Sequence, residues 1–395
     1  MTLNELSKTF LPLVGIIVLL VLATSTAFGA CPVNPPPGDP LQMLVLGDSI
    51  MWGQGLKDEE KFSSRVKCWL QEKTDREVKL HVEAHSGAII SGSAAAQPTF
   101  TSSNGEVNMT SPTINEQLNH ALDYYRQNQT SPALILMNGC INDIGVKNLL
   151  AASTPLEDLR AQVRQNCGEK MQLLLRRVTN GFPQAEVVVT GYYPIVSQQT
   201  ADNAFLRLLV KKLNSQRPEA GRMTDKEMRQ RLVAISEEWY KTSTASLAEA
   251  VMKINSDSSS PKVLFAEIQF GPEHVFAAPE TLLWTFLFAS TNVSGFAKVV
   301  VLLSFGTAAY KANDHVRESR IKSCEETYKK PKGIKEDKKQ KEDRQDLFLI
   351  CRYASLGHPN HMGALIYTEV IKGQLLQVID KAGWKRDTNS HLSLQ

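Results

Sequence analysis

Short apolar runs alternate along the chain with amphipathic stretches. Met43-Leu44-Val45-Leu46 is continuously apolar and stops at Gly47-Asp48-Ser49. Ala133–Met137 (ALILM) stops at Asn138-Gly139, and Glu186–Thr190 (EVVVT) stops at Gly191-Tyr192-Tyr193-Pro194. Unalternating apolar runs closed by turn residues predict strands buried on both faces. Val78–Val82 is a further strand, ahead of His85-Ser86-Gly87-Ala88. Leu156–Val178 sets Leu159, Val163, Met171, Leu174 and Val178 at near-helical spacing, and Lys226–Leu247 is helical in pattern too. Strands alternating with helices predict an α/β fold whose parallel sheet is covered on both faces. Ligands of such sheets bind beyond the carboxyl ends of the strands, where these turn motifs fall.

The pattern loosens from about 217 to 345, which reads as a long, mostly helical or irregular insertion. Phe276–Phe305 within it is apolar and holds Trp284, Phe286, Phe288 and Phe296. A buried pair of helices is the plain expectation; a lid or acyl-chain groove is the sharper one. Glu325–Gln345 carries mixed charge and almost no apolar residue, as a solvated loop or fraying helix does. Residues 386–395 read as a loose tail, so 42–385 is expected to be one domain with its insertion. No internal repeat is visible.

Charge and cysteine content narrow the class. Lys and Arg total 44 against 41 Asp and Glu, a net charge of +3 that offers no electrostatic footprint for nucleic acid. Six cysteines in 395 residues, none in a CxxC pair, exclude a disulfide-dense scaffold, a zinc ribbon and a thioredoxin-type site. Lys8 precedes the apolar run Leu11–Ala23, whose 13 residues suit a signal core. A spanning helix needs roughly 20. Residues 1–30 are therefore expected to be a secretory signal. The uncharged stretch runs on to Ala30, so an uncleaved anchor is the other reading. Phe28-Gly29-Ala30-Cys31 loosely resembles a lipoprotein cleavage box, which adds lipidation at Cys31 as an alternative. Residues 31–41, with Pro32, Pro35, Pro36, Pro37 and Pro40, read as a stiff linker.

Export permits disulfides. Cys324 and Cys351 flank the charged loop and make one candidate bridge; Cys68 with Cys167 makes a second. Asn108, Asn128 and Asn292 open Asn-x-Ser/Thr sites, sugar acceptors only in a host that glycosylates.

Four motifs carry candidate chemistry. Ser49 follows a strand and opens a helix, which suits a nucleophile whose own N–H faces the attacked group. Asn142, in Gly139-Cys140-Ile141-Asn142-Asp143, can donate to a developing oxyanion from a strand end. Gly87 lets a backbone N–H approach a substrate closely. His358, in Ser355-Leu356-Gly357-His358-Pro359-Asn360-His361, is held by the following Pro before a helical stretch, Gly363–Ile379, and suits a general base. Each is weak alone, since Gly-Asp-Ser and Asn-Asp are ordinary turns.

In this order the four resemble the SGNH hydrolase superfamily, the GDSL-type esterases and lipases, over about residues 42–195 and 350–380. The resemblance implies a flavodoxin-like three-layer α/β/α sandwich. It implies Ser49 as nucleophile, His358 as base, and an oxyanion hole of the Ser49 N–H, Gly87 and Asn142. It implies no metal or organic cofactor, and His81 and His85, at i and i+4, lack an acidic ligand motif. Two positions depart from the family pattern. Ser355 stands where an Asp usually orients the imidazole, so either a Ser49–His358 dyad works with help from Ser355 or an acid arrives from the insertion, Asp314 and Glu273 being candidates. Cys140 stands at a customary Gly, which suggests a disulfide or a shifted loop. His361 is a rival base without the His-Pro-Asn context, and Phe270-Gly271-Pro272-Glu273-His274 is either a substrate mouth or a tight turn.

These residues imply a secreted serine esterase or lipase acting on a small ester or lipid, with contact to a membrane surface open to it. A carbohydrate O-acetylesterase, a catalytically silent lipid- or glycan-binding protein, and an adhesion protein are the alternatives. No nucleic-acid partner is expected, and nothing in the sequence speaks to oligomeric state.

Overall fold

The structure, a computed structural model, describes residues 31, 39–92, 112–202, 223–257, 262–286, 312–329, 333 and 335–385. The expected signal segment, the prolines at 32–37, residues 287–305 of the apolar stretch, Asn108, Asn292 and the tail lie outside the described residues.

Five parallel strands form one sheet: β1 (Leu41–Leu46), β2 (Val78–Val82), β3 (Leu134–Met137), β4 (Glu186–Thr190) and β5 (Val263–Ala266). Their spatial order is β2-β1-β3-β4-β5. Met43 pairs with Leu134, Leu134 with Glu186, and Val187 with Val263. The central strands lack alternation because helices bury both of their faces; every residue of β3 is buried. The chain leaves β1 for β2 on one side and later returns to β3 on the other. That change of direction opens a crevice above the carboxyl ends of β1 and β3.

The α-helices are α1 (Ser49–Trp52), α2 (Phe62–Thr74), α3 (Ile114–Gln127), α4 (Ile141–Ile144), α5 (Val146–Leu149), α6 (Leu156–Val163), α7 (Met171–Gly181), α8 (Asp225–Ser256), α9 (Arg317–Thr327), α10 (Lys338–Arg352) and α11 (His361–Leu375), with a 3₁₀ turn at Asp58–Glu60. A π-helical turn, Arg164–Lys170, joins α6 to α7. Helices α2 and α11 pack together on one side of the sheet, and α3, α7 and α8 form the layer on the other. Along α8, Ile235, Trp239, Ser243, Leu247 and Val251 are buried at four-residue steps, the stripe that seats a helix on a core. Thr224 starts it with a capping box closed by Glu227.

Several sequence expectations need correction. The supposed insertion begins inside the main fold, because α8 covers the sheet and β5 is its fifth strand. The run Val263–Ala266 is followed by Glu267-Ile268 rather than a turn motif, so nothing in the sequence closes it off as a strand. Residues 276–286 are turns rather than helix, and pair across isolated bridges, Leu283 with Pro359 and Phe286 with Ala312. The charged stretch follows the helical of its two readings: much of it forms the exposed ends of α9 and α10, which the Cys324–Cys351 bridge ties together.

That bridge was expected; the pairing of Cys68 with Cys167 is overturned. Cys68 bonds Cys31 and Cys167 bonds Cys140, with Cα separations of 4.8 and 5.1 Å. Cys68 lies on α2 and Cys167 in the turn between α6 and α7, on opposite sides of the sheet, and a disulfide cannot reach across that layer. The bond to Cys68 also leaves Cys31 no thiol for lipidation. Three disulfides suit an extracellular protein, because such bonds persist in oxidising compartments. Among the described residues no helix is long and apolar enough to cross a membrane.

Candidate active site

Strand β1 ends in a turn that only Gly47 fits. Its φ is +144°, and a Cβ there would stand 2.1 Å from the Asn138 Oδ1. The Gln117 amide from α3 holds this turn on both sides, accepting from the Gly47 N–H at 2.8 Å and donating to the Gly47 carbonyl at 2.9 Å. Asp48 then caps α1, its carboxylate accepting from the Ile50 N–H at 2.9 Å. It is fully buried and also accepts from Asn138 Nδ2 at 2.9 Å and the Tyr192 hydroxyl at 2.8 Å. Burial pushes its pKa up, and these donors oppose the rise. Asp48 is thereby committed to holding the turn, and Ser49 emerges next to it at the crevice.

His358 arrives from the far end of the chain. Its backbone is clamped to the 281–286 segment, with Trp284 N–H donating to its carbonyl at 2.7 Å and Gly357 N–H donating to Trp284 O at 2.9 Å. Asn360 caps α11 through Met362 and Gly363, which directs the chain away behind the histidine. The Ser49 hydroxyl lies 2.7 Å from His358 Nε2, and Nδ1 lies 3.3 Å from the Ser355 carbonyl. A proton on Nδ1 donates to that carbonyl and leaves Nε2 free to accept from Ser49. Desolvation in the crevice lowers the imidazole pKa from 6.5 to about 4, so the ring is a neutral base at neutral pH.

The rival residues lie elsewhere. His361 stacks on His315 with ring centroids 5.4 Å apart. Glu273 faces its neighbour His274 at 3.5 Å, and the 271–274 stretch is a turn closed by His274 N–H to Gly271 O. Of the two acid candidates, Asp314 is the one near the histidine, and it reaches it indirectly: it accepts from the Ser355 hydroxyl at 2.8 Å. Ser355 itself is fully buried behind the ring rather than in the crevice.

Asn142 lines the crevice with Ser49 and His358. Its Nδ2 donates to the Ala88 carbonyl at 3.0 Å, leaving the second amide hydrogen for a group in the crevice. The next residue, Asp143, accepts from the Ile90 N–H at 2.9 Å. The loop carrying Gly87 is thus stapled to the loop carrying Asn142. Gly87, at φ +77°, sits in that stapled loop and is not among the residues lining the crevice. Cys140 keeps its Gly-like backbone, at φ +112°, and its disulfide to Cys167 anchors the Asn142 loop to the helical layer.

The crevice continues into a cavity of about 290 Å³. Its walls are mainly apolar: Val146, Leu150, Ile195, Met228, Leu232 and Phe276 among them. Sequence inspection missed the supporting residues. Asn138, Tyr192 and Tyr193 were legible only as strand-end turns, yet Tyr192 holds Asp48 and the Tyr193 hydroxyl donates to the Gly357 carbonyl at 2.8 Å. Their position at the carboxyl ends of β3 and β4 was the available signal.

No protein-family model matches the chain, and no curated protein matches it. Solved structures to which it is similar include a carbohydrate esterase family 2 enzyme with a carbohydrate-binding domain from Myceliophthora fergusii, at 17% identity and a TM-score of 0.31 over 61% of this chain; the chain spans 60% of that structure's length. A lipase from a goat rumen metagenome is 15% identical, with 88% of this chain and 99% of that one covered at a TM-score of 0.38. An extracellular lipase from Streptomyces rimosus is 15% identical, with 62% and 87% covered at a TM-score of 0.38.

Proposed function

We propose that the protein is a secreted serine esterase of the SGNH type that hydrolyses carboxylic esters through an acyl-enzyme. The single observation that carries this is the 2.7 Å contact between Ser49 Oγ and His358 Nε2 at the mouth of a cavity. In the proposed reaction His358 takes the Ser49 proton as Oγ attacks the ester carbonyl. The Ser49 N–H and the Asn142 amide stabilise the oxyanion; Gly87, outside the crevice lining, supports the loop stapled to Asn142. His358 returns the proton to the leaving alkoxide, and water attacks the acyl-enzyme by the same route in reverse. The apolar cavity beside Ser49 favours an ester with an apolar acyl chain, hence a lipid or acylglycerol. An acetyl group would leave most of that wall uncovered. Three disulfides support action outside the cell.

The test pairs fluorophosphonate labelling with a panel of esters from acetyl to long acyl. The wild type should label, Ser49→Ala should not, and turnover should rise beyond acetyl. Turnover confined to acetyl esters on glycans would replace the lipid reading with an O-acetylesterase. An unlabelled, correctly folded wild type would leave a binding protein.

A further inference from the structure

Ser355 is held from behind by two buried charges. Its hydroxyl donates to Asp314 Oδ2 at 2.8 Å, and Arg320 grips the same carboxylate with Nη1 to Oδ1 at 2.7 Å and Nη2 to Oδ2 at 2.5 Å. Both side chains of the ion pair are fully excluded from solvent. Arg320 sits on α9, and Cys324 on the same helix is bonded to Cys351 at the end of α10. Arg320 Nε also reaches the Arg352 carbonyl at 3.4 Å. Ser355 follows three residues later. The α9–α10 pair therefore sets one group behind the imidazole, the Ser355 carbonyl that faces His358 Nδ1.

An ion pair so deeply buried is a poor source of stability, since apolar residues of similar volume do as well. Its geometry suits another task. The Ser355 carbonyl also accepts the His358 N–H at 3.0 Å, and the bond from the Ser355 hydroxyl to Asp314 holds the same residue from the other side, so the turn that carries the carbonyl is pinned at both ends. The charged groups that bear on His358 are Asp314, which favours the imidazolium, and Arg320, which opposes it.

On the reading that Ser49 and His358 are the hydrolytic pair, we propose that Asp314 and Arg320 are positioning residues for His358: through Ser355 Oγ they aim the carbonyl that orients the imidazole, and as a closed pair they present it with both charges rather than a lone carboxylate. The carboxylate of the usual triad is thus moved back by one residue and neutralised, and ring orientation is kept while most of its charge stabilisation is given up.

Full-length chain is tested with fluorophosphonate labelling and with kcat, KM and pH profiles on a soluble p-nitrophenyl ester. Ser355→Ala should lower kcat by about tenfold to a hundredfold with KM unchanged, the cost of a misaimed group. Removing one charge alone risks the fold, so the decisive partner is the double variant Asp314→Asn with Arg320→Met. It should lose kcat to the same degree, and adding Ser355→Ala to it should cost nothing further, because all three act through one bond. Where Arg320→Met alone folds, its acid limb should move to higher pH, because Asp314 then acts unopposed. A labelled wild type whose Ser355→Ala and double variants keep full kcat would overturn the proposal. An unlabelled wild type would overturn the hydrolase reading and this proposal together.

Discussion

The Tyr192 hydroxyl donates to the buried Asp48 carboxylate at 2.8 Å and accepts the Ile141 N–H at 3.4 Å. One side chain from the end of β4 thus joins the Ser49 turn to the Asn142 loop. The link ties loops from three strand ends, β1, β3 and β4, together at one crevice.

Tyr192→Phe removes that link and leaves Asp48 short of a donor in a site where burial already raises its pKa. The expected cost is about 1–3 kcal/mol of stability, with kcat reduced as the Asn142 loop loosens. Urea denaturation together with ester kinetics measures both. An unchanged midpoint and rate would show that Asn138 and the Ile50 N–H suffice.

Ser49→Ala and His358→Ala should each abolish turnover while the chain stays folded by circular dichroism. Asn142→Ala should reduce kcat by roughly 10²–10³-fold if its free amide hydrogen meets the oxyanion. A loss under threefold would remove Asn142 from that role.

The acid limb of kcat/KM should lie near pH 4, because His358 is pushed down to about 4 by desolvation and only the neutral ring accepts the Ser49 proton. The same shift costs stability: the unfolded histidine binds its proton at 6.5, so stability should fall as pH drops from 6.5 towards 4. A pH series of rates and melting temperatures checks both signs. A limb at pH 6.5 would mean that the ring is solvated in solution.

Losing the Cys140–Cys167 bond should cost about 2–5 kcal/mol and lower kcat, because the bond anchors the Asn142 loop. Paired with Cys167→Ala, Cys140→Gly should be the more stable choice than Cys140→Ala by about 1 kcal/mol, since φ is +112° at this position. Equal melting temperatures for the two double variants would argue against a strained backbone there.

Leu232→Trp should fill part of the apolar cavity. Long-chain esters should then lose kcat/KM by tenfold or more, about 1–3 kcal/mol, with acetyl esters unaffected. Equal losses across the panel would place the acyl chain elsewhere.

The layered architecture was legible because local rules write it. Short unalternating runs such as Met43–Leu46 and Glu186–Thr190, each closed by a turn motif, read as strands covered on both faces, with those turns at their carboxyl ends. The Ser49, Asn142 and His358 motifs were legible for the same reason, as turn chemistry at strand and helix ends. Strand β5 escaped because Val263–Ala266 runs into Glu267-Ile268 with no turn motif to close it, and residues 276–286 misled because an apolar run does not say whether it coils or turns.

By itself, then, the sequence determined which segments become strands and helices and which residues stand at their ends, because hydrophobic period and turn chemistry act over a few neighbours. Which of those ends meet was decided by the tertiary structure alone. Packing on opposite sides of the sheet parted Cys68 from Cys167. Closure of the chain over a separation of 309 residues brought the His358 ring within hydrogen-bond reach of Ser49. The buried Arg320 drew Asp314, rather than Glu273, behind Ser355. Such choices rest on burial and on contacts between distant segments, and no local pattern encodes them.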